Sequence, residues 1–321
     1  MKQTVVAFGE IMMRLSAPEG QTVRESTSFR ACYGGTESNV LACLAAFGHR
    51  TRYLTALPAG ELGAAVLDHL SRLRVDASDA VIGGDTLGLY FSETGNGSRG
   101  ARVYYFRRHS EFTRLSETSF DFDRVFRDAA LFHVSGISFA LSPSSRRLAF
   151  RLMREARARG IPVSFDFNYR AALWGTDAAG EAFREALFSA DIVLGSPRDL
   201  DVFLGMTAED VFARYPCAAL VLRERTVCAP DRHSVHVRVL TRSSGEFSSP
   251  EVAFPVSERI GGGDAFNGAF LHAYLRGDGL KEATMFAIAA FARKHTIAGD
   301  VLACGEEEIR SYGRRLSGEE L

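Results

Sequence analysis

Residues 259–266 read Arg259-Ile260-Gly261-Gly262-Gly263-Asp264-Ala265-Phe266, and helix-spaced Phe266, Ala269, Phe270, Ala273 and Tyr274 follow. Three glycines opening a helix leave backbone N–H groups that no side chain shields. With the positive end of the helix dipole they form a concave site for an anion such as phosphate. An aspartate at that site is electrostatically odd, because it repels a bound phosphate. It makes sense if the carboxylate accepts the proton of a hydroxyl that attacks the phosphate, while the amides hold the transferring charge. A plain N-cap aspartate on a flexible loop is the competing account. These residues alone leave both standing.

Two further stretches have site character. Tyr33-Gly34-Gly35-Thr36-Glu37-Ser38-Asn39 again runs from glycines into a helix. Its glycines let a ligand approach the backbone, and Asn39 carries both a donor and an acceptor for a hydroxyl; an ordinary Gly-Gly turn reads the same way. Ser164-Phe165-Asp166-Phe167-Asn168-Tyr169-Arg170 is a strand end passing into polar residues and a planar cation. Arginine there suits bidentate binding of carboxylate or phosphate. Tyr90, Tyr105 and Arg107, from a segment with β-alternation, can bring rings and a second cation over the same place.

The elements that must position these residues alternate from start to finish. Strand-length apolar runs fall at Val5–Gly9, Tyr53–Leu57, Ala130–Ser135, Val163–Phe167, Ile192–Leu194 and Leu220–Leu222. Between them, Val40, Cys43, Leu44 and Phe47 make a helical stripe closed by Gly48. Leu62, Val66, Leu67, Leu70 and Leu73 make another, and a helix over Ser144–Arg159 ends at Gly160. Short, doubly apolar strands separated by helices predict an α/β fold, a doubly wound and mostly parallel sheet with helices on both faces. Residues 86–107 break the rhythm: Leu87, Leu89 and Phe91 alternate, Gly95-Asn96-Gly97 turns the chain, and Val103, Tyr105 and Arg107 alternate again. We read a β-hairpin inserted as a lid in a single α/β domain over residues 1–321. Ligands of such sheets bind beyond the carboxyl ends of the strands, where the quoted stretches lie.

Composition narrows the function. The chain of 321 residues has a formal net charge of −1 and no basic block, which argues against nucleic acid and anionic membrane as partners. All but three of its 38 basic residues are arginine; Lys2, Lys281 and Lys294 stand in neither a GxxxxGK[ST] loop nor a protein-kinase strand. Five scattered cysteines without C-x-x-C fit a reducing compartment rather than a disulfide framework or zinc site. Glu10 interrupts the first apolar run before a signal segment forms. No run is long enough to span a membrane, so a cytoplasmic location is expected. Gly9-Glu10 after the first strand offers no GxGxxG, which argues against a nicotinamide dehydrogenase.

Gly34-Gly35 with Asn39 near the start and Gly-Gly-Gly-Asp at 261–264 near the end resemble the two signatures of the ribokinase-like (PfkB) sugar kinases. Gly88-Leu89-Tyr90, Val103-Tyr104-Tyr105-Phe106-Arg107, residues 132–137, Asp166 to Trp174, Leu222-Arg223-Glu224 and Lys294-His295-Thr296-Ile297 resemble the 2-keto-3-deoxygluconate (KDG) kinase branch in particular. The resemblance covers nearly the whole chain. It implies phosphorylation of the terminal hydroxyl of KDG by ATP with Mg²⁺, Asp264 acting as base and the Gly261, Gly262 and Gly263 amides as anion hole. It further implies that Gly35, Asn39, Tyr90, Tyr105, Arg107 and Arg170 line the sugar-acid site, that Ser196, Asp199 and Arg223 serve the nucleotide side, and that the lid pairs two copies in a homodimer. Independently, two arginines suit a carboxylate that a neutral sugar lacks.

The chain departs from the pattern in places. Ser196-Pro197-Arg198-Asp199 stands where many members have Asn-x-x-Glu, and Glu258 where aspartate often precedes the glycine loop. Competing expectations are a kinase for 5-dehydro-2-deoxygluconate, fructose or ribose, or a sugar-acid-binding regulatory protein that has lost transfer.

Overall fold

Val5, Val6, Ala7 and Phe8 are all fully buried, as a strand covered on both faces requires. Their side chains alternate between two cores: Val5 and Ala7 pack into one, Val6 and Phe8 into the other. The computed structural model describes residues 3–95 and 100–318. Within them lie β1 (Thr4–Phe8), β2 (Met12–Ser16), β3 (Arg30–Gly34), β4 (Arg50–Leu54) and β5 (Ala56–Leu57). Next come β6 (Val81–Ile82), β7 (Leu89–Glu93), β8 (Arg102–Phe106), β9 (Ala129–Ser135) and β10 (Val163–Asp166). β11 (Ile192–Gly195), β12 (Ala219–Ala229), β13 (Arg232–Thr241), β14 (Gly245–Ser248) and β15 (Val252–Pro255) complete the set.

The main sheet runs β14-β13-β12-β11-β10-β9-β1-β4, with β15 also on β13. From β12 to β4 every pairing is parallel, and β13, β14 and β15 extend that edge antiparallel. The expected α/β architecture is therefore present, and the two cores are the two faces of this sheet. Register matters for the site. Phe8 stands beside Val134, Ser135 beside Asp166, and Gly195 beside Leu222, so β1, β9, β10 and β11 end together along one sheet edge while β12 runs on past it.

The helix expected over Ser144–Arg159 spans Pro143–Ala158. Ser142 and Ser145 close a capping box at its start, and Gly160 takes a left-handed backbone (φ 70°) after its end. Two readings differ. The run Tyr53–Leu57 is two strands: β4 follows β1 as far as Leu54, opposite Phe8 where β1 stops, and β5 pairs with β6 in a small separate sheet. Residues 86–107 do pair as β7 and β8, but half of their sheet was not foreseen: its order is β3-β2-β7-β8. Of the turn read at 95–97, residues 96 and 97 lie outside the described residues. No helix among the described residues is long and apolar enough to cross a membrane.

Candidate active site

The helix Gly262–Arg276 begins from Gly261, whose backbone is left-handed (φ 79°). A Cβ there would overlap the carbonyl oxygen of Asp300, so the turn closes only on glycine. A Cβ on Gly262 would run into the His295 ring, and one on Gly263 would meet Arg223 Nη2 at 3.0 Å. The first-turn N–H groups of a helix have no intrahelical partners. Gly261, Gly263 and Asp264 line a cleft of about 830 Å³ that also takes in the ends of β10 and β11 and the middle of β12; Gly262 is packed behind its wall. An anion seated there meets bare amides and a helix dipole together.

Asn39 faces this loop from the helix Thr36–Ala46. Its Nδ2 donates to Asp264 Oδ2 at 2.7 Å. Burial pushes the Asp264 carboxyl up to about 7, and the negative charges of Asp166 and Asp300 add to this; the Asn39 bond and the Arg170 cation work the other way. A carboxyl so poised both takes and gives up a proton near neutrality. Because Asn39 spends its amide donor on Asp264, its Oδ1 is left buried with no protein donor, an acceptor available to a ligand hydroxyl. Gly35, just ahead of this helix, has an extended backbone; it must be small because a Cβ would overlap the Glu10 carbonyl oxygen.

Tyr90, Tyr105, Arg107, Arg170, Ser196, Asp199 and Arg223 also line the cleft. Arg223 lies over the Phe266 and Phe291 rings at 4.8 and 5.3 Å, where it interacts with Asp166 and Asp264. Arg170 is exposed, bonded through Nη1 to the Tyr169 carbonyl at 3.1 Å, and its charge acts on Asp166 and Asp264. Arg107 is buried and already paired: Nε donates to Glu10 Oε2 at 2.7 Å and Nη2 to the same oxygen. Tyr90 donates its hydroxyl to Asp300 Oδ2 at 3.1 Å, and its ring centroid lies 5.5 Å from that of the half-exposed Tyr105.

At the other end of the cleft, Asp199 Oδ2 accepts the Ser196 N–H at 2.8 Å and the Ser196 hydroxyl at 2.7 Å. The two residues thus form a capping box where the related motif carries an amide and a longer acid. Burial raises the Asp166 carboxyl to about 6, and the charge of Asp199 pushes in the same direction. Two hard carboxylates that repel one another beside an anion site are a donor set that fits Mg²⁺. When bound, that ion would offset phosphate charge; Asp166 and Asp199 are the residues that would hold it, directly or through water.

Sequence reasoning missed Asp300, Glu10 and Glu37. Asp300 is buried; its carboxylate pairs with Arg14 Nη2 at 2.9 Å and accepts from Tyr90, while its backbone carbonyl underlies Gly261. Glu37 lies between Gly35 and Asn39, where spacing alone marks no role for it. Its Oε1 accepts the Ser135 N–H at 3.0 Å and the hydroxyls of Ser135 and Ser138 at 2.7 and 3.2 Å, and burial lifts its carboxyl to about 7. A carboxyl whose folded pKa is raised favours folding at acid pH, and that contribution is lost as pH climbs through about 7. Glu37→Gln keeps the acceptor and removes the titration. The melting temperature of the variant minus that of the parent is therefore expected to be more positive at pH 8 than at pH 5, measured by thermal denaturation. An equal difference at both pH values would contradict a buried ionisable Glu37.

A doubly wound sheet with a glycine-opened helix and a buried carboxyl at its strand ends is the architecture of the ribokinase-like carbohydrate kinases. Residues 2–301 match the pfkB family of carbohydrate kinases, and the chain belongs to that family. It is similar to the 2-dehydro-3-deoxygalactonokinase of Haloferax volcanii, with 29% identity over 96% of each chain. It also resembles the 2-dehydro-3-deoxygluconokinase of Escherichia coli K12, at 30% identity over 88% of this chain and 92% of the other. The crystal structure of the 2-dehydro-3-deoxygluconokinase from Thermotoga maritima superposes with a TM-score of 0.93 at 31% identity, covering 97% and 99% of the two chains.

Proposed function

We propose that this sugar kinase transfers the γ-phosphoryl group of ATP to the terminal hydroxyl of a 2-keto-3-deoxy sugar acid, with KDG the first candidate and its 6-phosphate the product. The observation that carries the reading is the Asp264 carboxyl, lifted to about 7, on the first turn of an amide-lined helix and held there by Asn39. Asp264 takes the hydroxyl proton as the oxygen attacks phosphorus, and ADP leaves with the electrons of the broken P–O bond. The amides of the glycine loop hold charge on the transferring group, with Arg223 alongside. Gly35 lets the sugar approach the backbone, and Asn39 Oδ1 accepts from one of its hydroxyls. Tyr90 and Tyr105 flank the sugar acid from β7 and β8. Ser196 and Asp199 order the nucleotide end, where Mg²⁺ accompanies ATP.

The acid group of the substrate separates this reading from one for fructose or ribose. Arg107 reaches the cleft with Glu10 already on Nε and Nη2, so Arg170 is the cation we assign to the carboxylate, with Arg107 steadying the wall beside it. The name of the Haloferax volcanii relative brings in the C4 epimer of KDG as a second substrate of the same class. A panel of KDG, its C4 epimer, 5-dehydro-2-deoxygluconate, fructose and ribose, followed by coupled ADP release, tests the reading. A keto-deoxy acid should lead in kcat/KM. Equal rates on neutral sugars would overturn the substrate class, and no ADP release on any of them would favour a binding protein without transfer. Arg170→Met should raise KM for the keto acid about 10–100-fold, the size of a lost charge-assisted bond, and leave KM for a neutral sugar unchanged. In the same reading a second copy covers β8, where Val103, Tyr104, Tyr105 and Phe106 are exposed.

A further inference from the structure

Of the chain's three lysines, Lys281 is exposed and Lys294 is fully buried. A lysine is almost never fully buried without partners, because removing an ammonium from water is costly. Lys294 ends the helix Leu280–Lys294 and turns its Nζ back to the loop that follows, donating to the Ile297 carbonyl at 2.9 Å and the Gly299 carbonyl at 2.7 Å. Its stem lies against the glycine turn, with Cε 3.2 Å from where a Gly261 Cβ would stand. The next residue of the anchored loop, Asp300, places its own carbonyl under Gly261. Arg14 and Tyr90, from β2 and β7, hold the Asp300 carboxylate from the other side. The segment 297–300 is thus pinned on its carbonyls by an ammonium and on its side chain by the β3-β2-β7-β8 sheet, and Gly261 rests on it.

We infer that Lys294 is a positioning residue for phosphoryl transfer: its Nζ fixes the 297–300 segment beneath Gly261 and places its charge behind the anion hole. A purely structural tie between a helix end and a loop needs no buried charge, since a neutral hydrogen-bonding group at far lower desolvation cost would serve. Burial pushes the Lys294 ammonium below its ordinary range and the Arg14 charge adds to this, while the charges of Glu258, Asp300 and Asp264 work the other way. The same placement lets the charge act on a phosphoryl group over the loop without touching it. This role rests on the phosphotransfer reading above.

The experiment compares the parent enzyme with Lys294→Met, which keeps the length of the stem and loses the charge and donors, and with Lys294→Ala, which opens a cavity lined by the two carbonyls. Parent activity on the sugar-acid panel is measured first; its absence would sink the kinase reading itself and is seen before any variant is made. With an active parent, both variants should lose kcat about 10²-fold while KM for the sugar changes little, the pattern of a weakened anion hole. Ammonium or potassium chloride should restore part of the lost kcat to Lys294→Ala by occupying the carbonyl cage, whereas tetramethylammonium, too large for it, should not, and the parent should respond to none of them. Parental kcat in Lys294→Met would overturn the inference. So would losses in both variants that small cations do not relieve and that track lowered melting temperatures, since these describe a core residue and nothing more.

Discussion

Asp264→Asn is expected to lower kcat about 10²–10⁴-fold, the usual contribution of a positioned general base, with KM for the sugar nearly unchanged. The substitution is conservative where folding is concerned. An asparagine oxygen still accepts from Asn39 Nδ2, as Oδ2 does at 2.7 Å, and the helix start keeps its shape. What is lost is the ability to take a proton. The pH profile supplies an independent sign. Because burial raises this carboxyl to about 7, it is protonated below that pH and ionised above it. The parent's kcat/KM should therefore fall as pH drops below about 7, and this acid limb should vanish in the variant. Steady-state rates between pH 5.5 and 8.5 check both statements. A variant with parental rate would exclude Asp264 as the base.

Gly261→Ala should cost about 10²–10³-fold in kcat, the scale of a disrupted oxyanion site. Two effects act together: a side chain must adopt φ 79°, and its Cβ meets the Asp300 carbonyl oxygen, which belongs to backbone anchored by Lys294, Arg14 and Tyr90. Neither side yields cheaply, so the turn moves and its amides leave their positions. Gly263→Ala is the internal comparison. Its Cβ would meet only Arg223 Nη2 at 3.0 Å, the far end of a flexible side chain, and the loss there should be clearly smaller. Kinetics of the two variants, with far-UV circular dichroism to establish that both fold, measure the contrast. Equal and small losses would mean that the turn at Gly261 does not organise the site.

Part of this site could be read directly from sequence because the physics that forms it is local. Runs such as Val5–Phe8 declare a strand buried on both faces, and glycines before a helix declare exposed amides wherever they occur. The four-stranded β3-β2-β7-β8 sheet was half hidden. β2 carries Arg14, and its partners are β3 and β7, so a buried arginine breaks the apolar alternation by which an edge sheet is recognised. Asp300 was invisible for a related reason. No neighbour in sequence marks it, and its role arises only when Arg14, Tyr90, Gly34 and Gly261 converge on it from four parts of the chain. Glu10 stood out only as an interruption of an apolar run. Its pairing with Arg107, 97 residues away, decides how much of that arginine remains for a substrate. Local spacing thus marks which groups are present, and long-range ion pairs determine which of them are free.

The most direct test is a crystal structure of the enzyme with a keto-deoxy sugar acid and a non-transferable ATP analogue. An Asp264 carboxylate oxygen should lie about 2.6–3.2 Å from the sugar's terminal hydroxyl, with the γ-phosphate analogue against the amides following Gly261. A terminal hydroxyl facing away from Asp264, or a γ-phosphate lodged elsewhere in the cleft, would contradict the account.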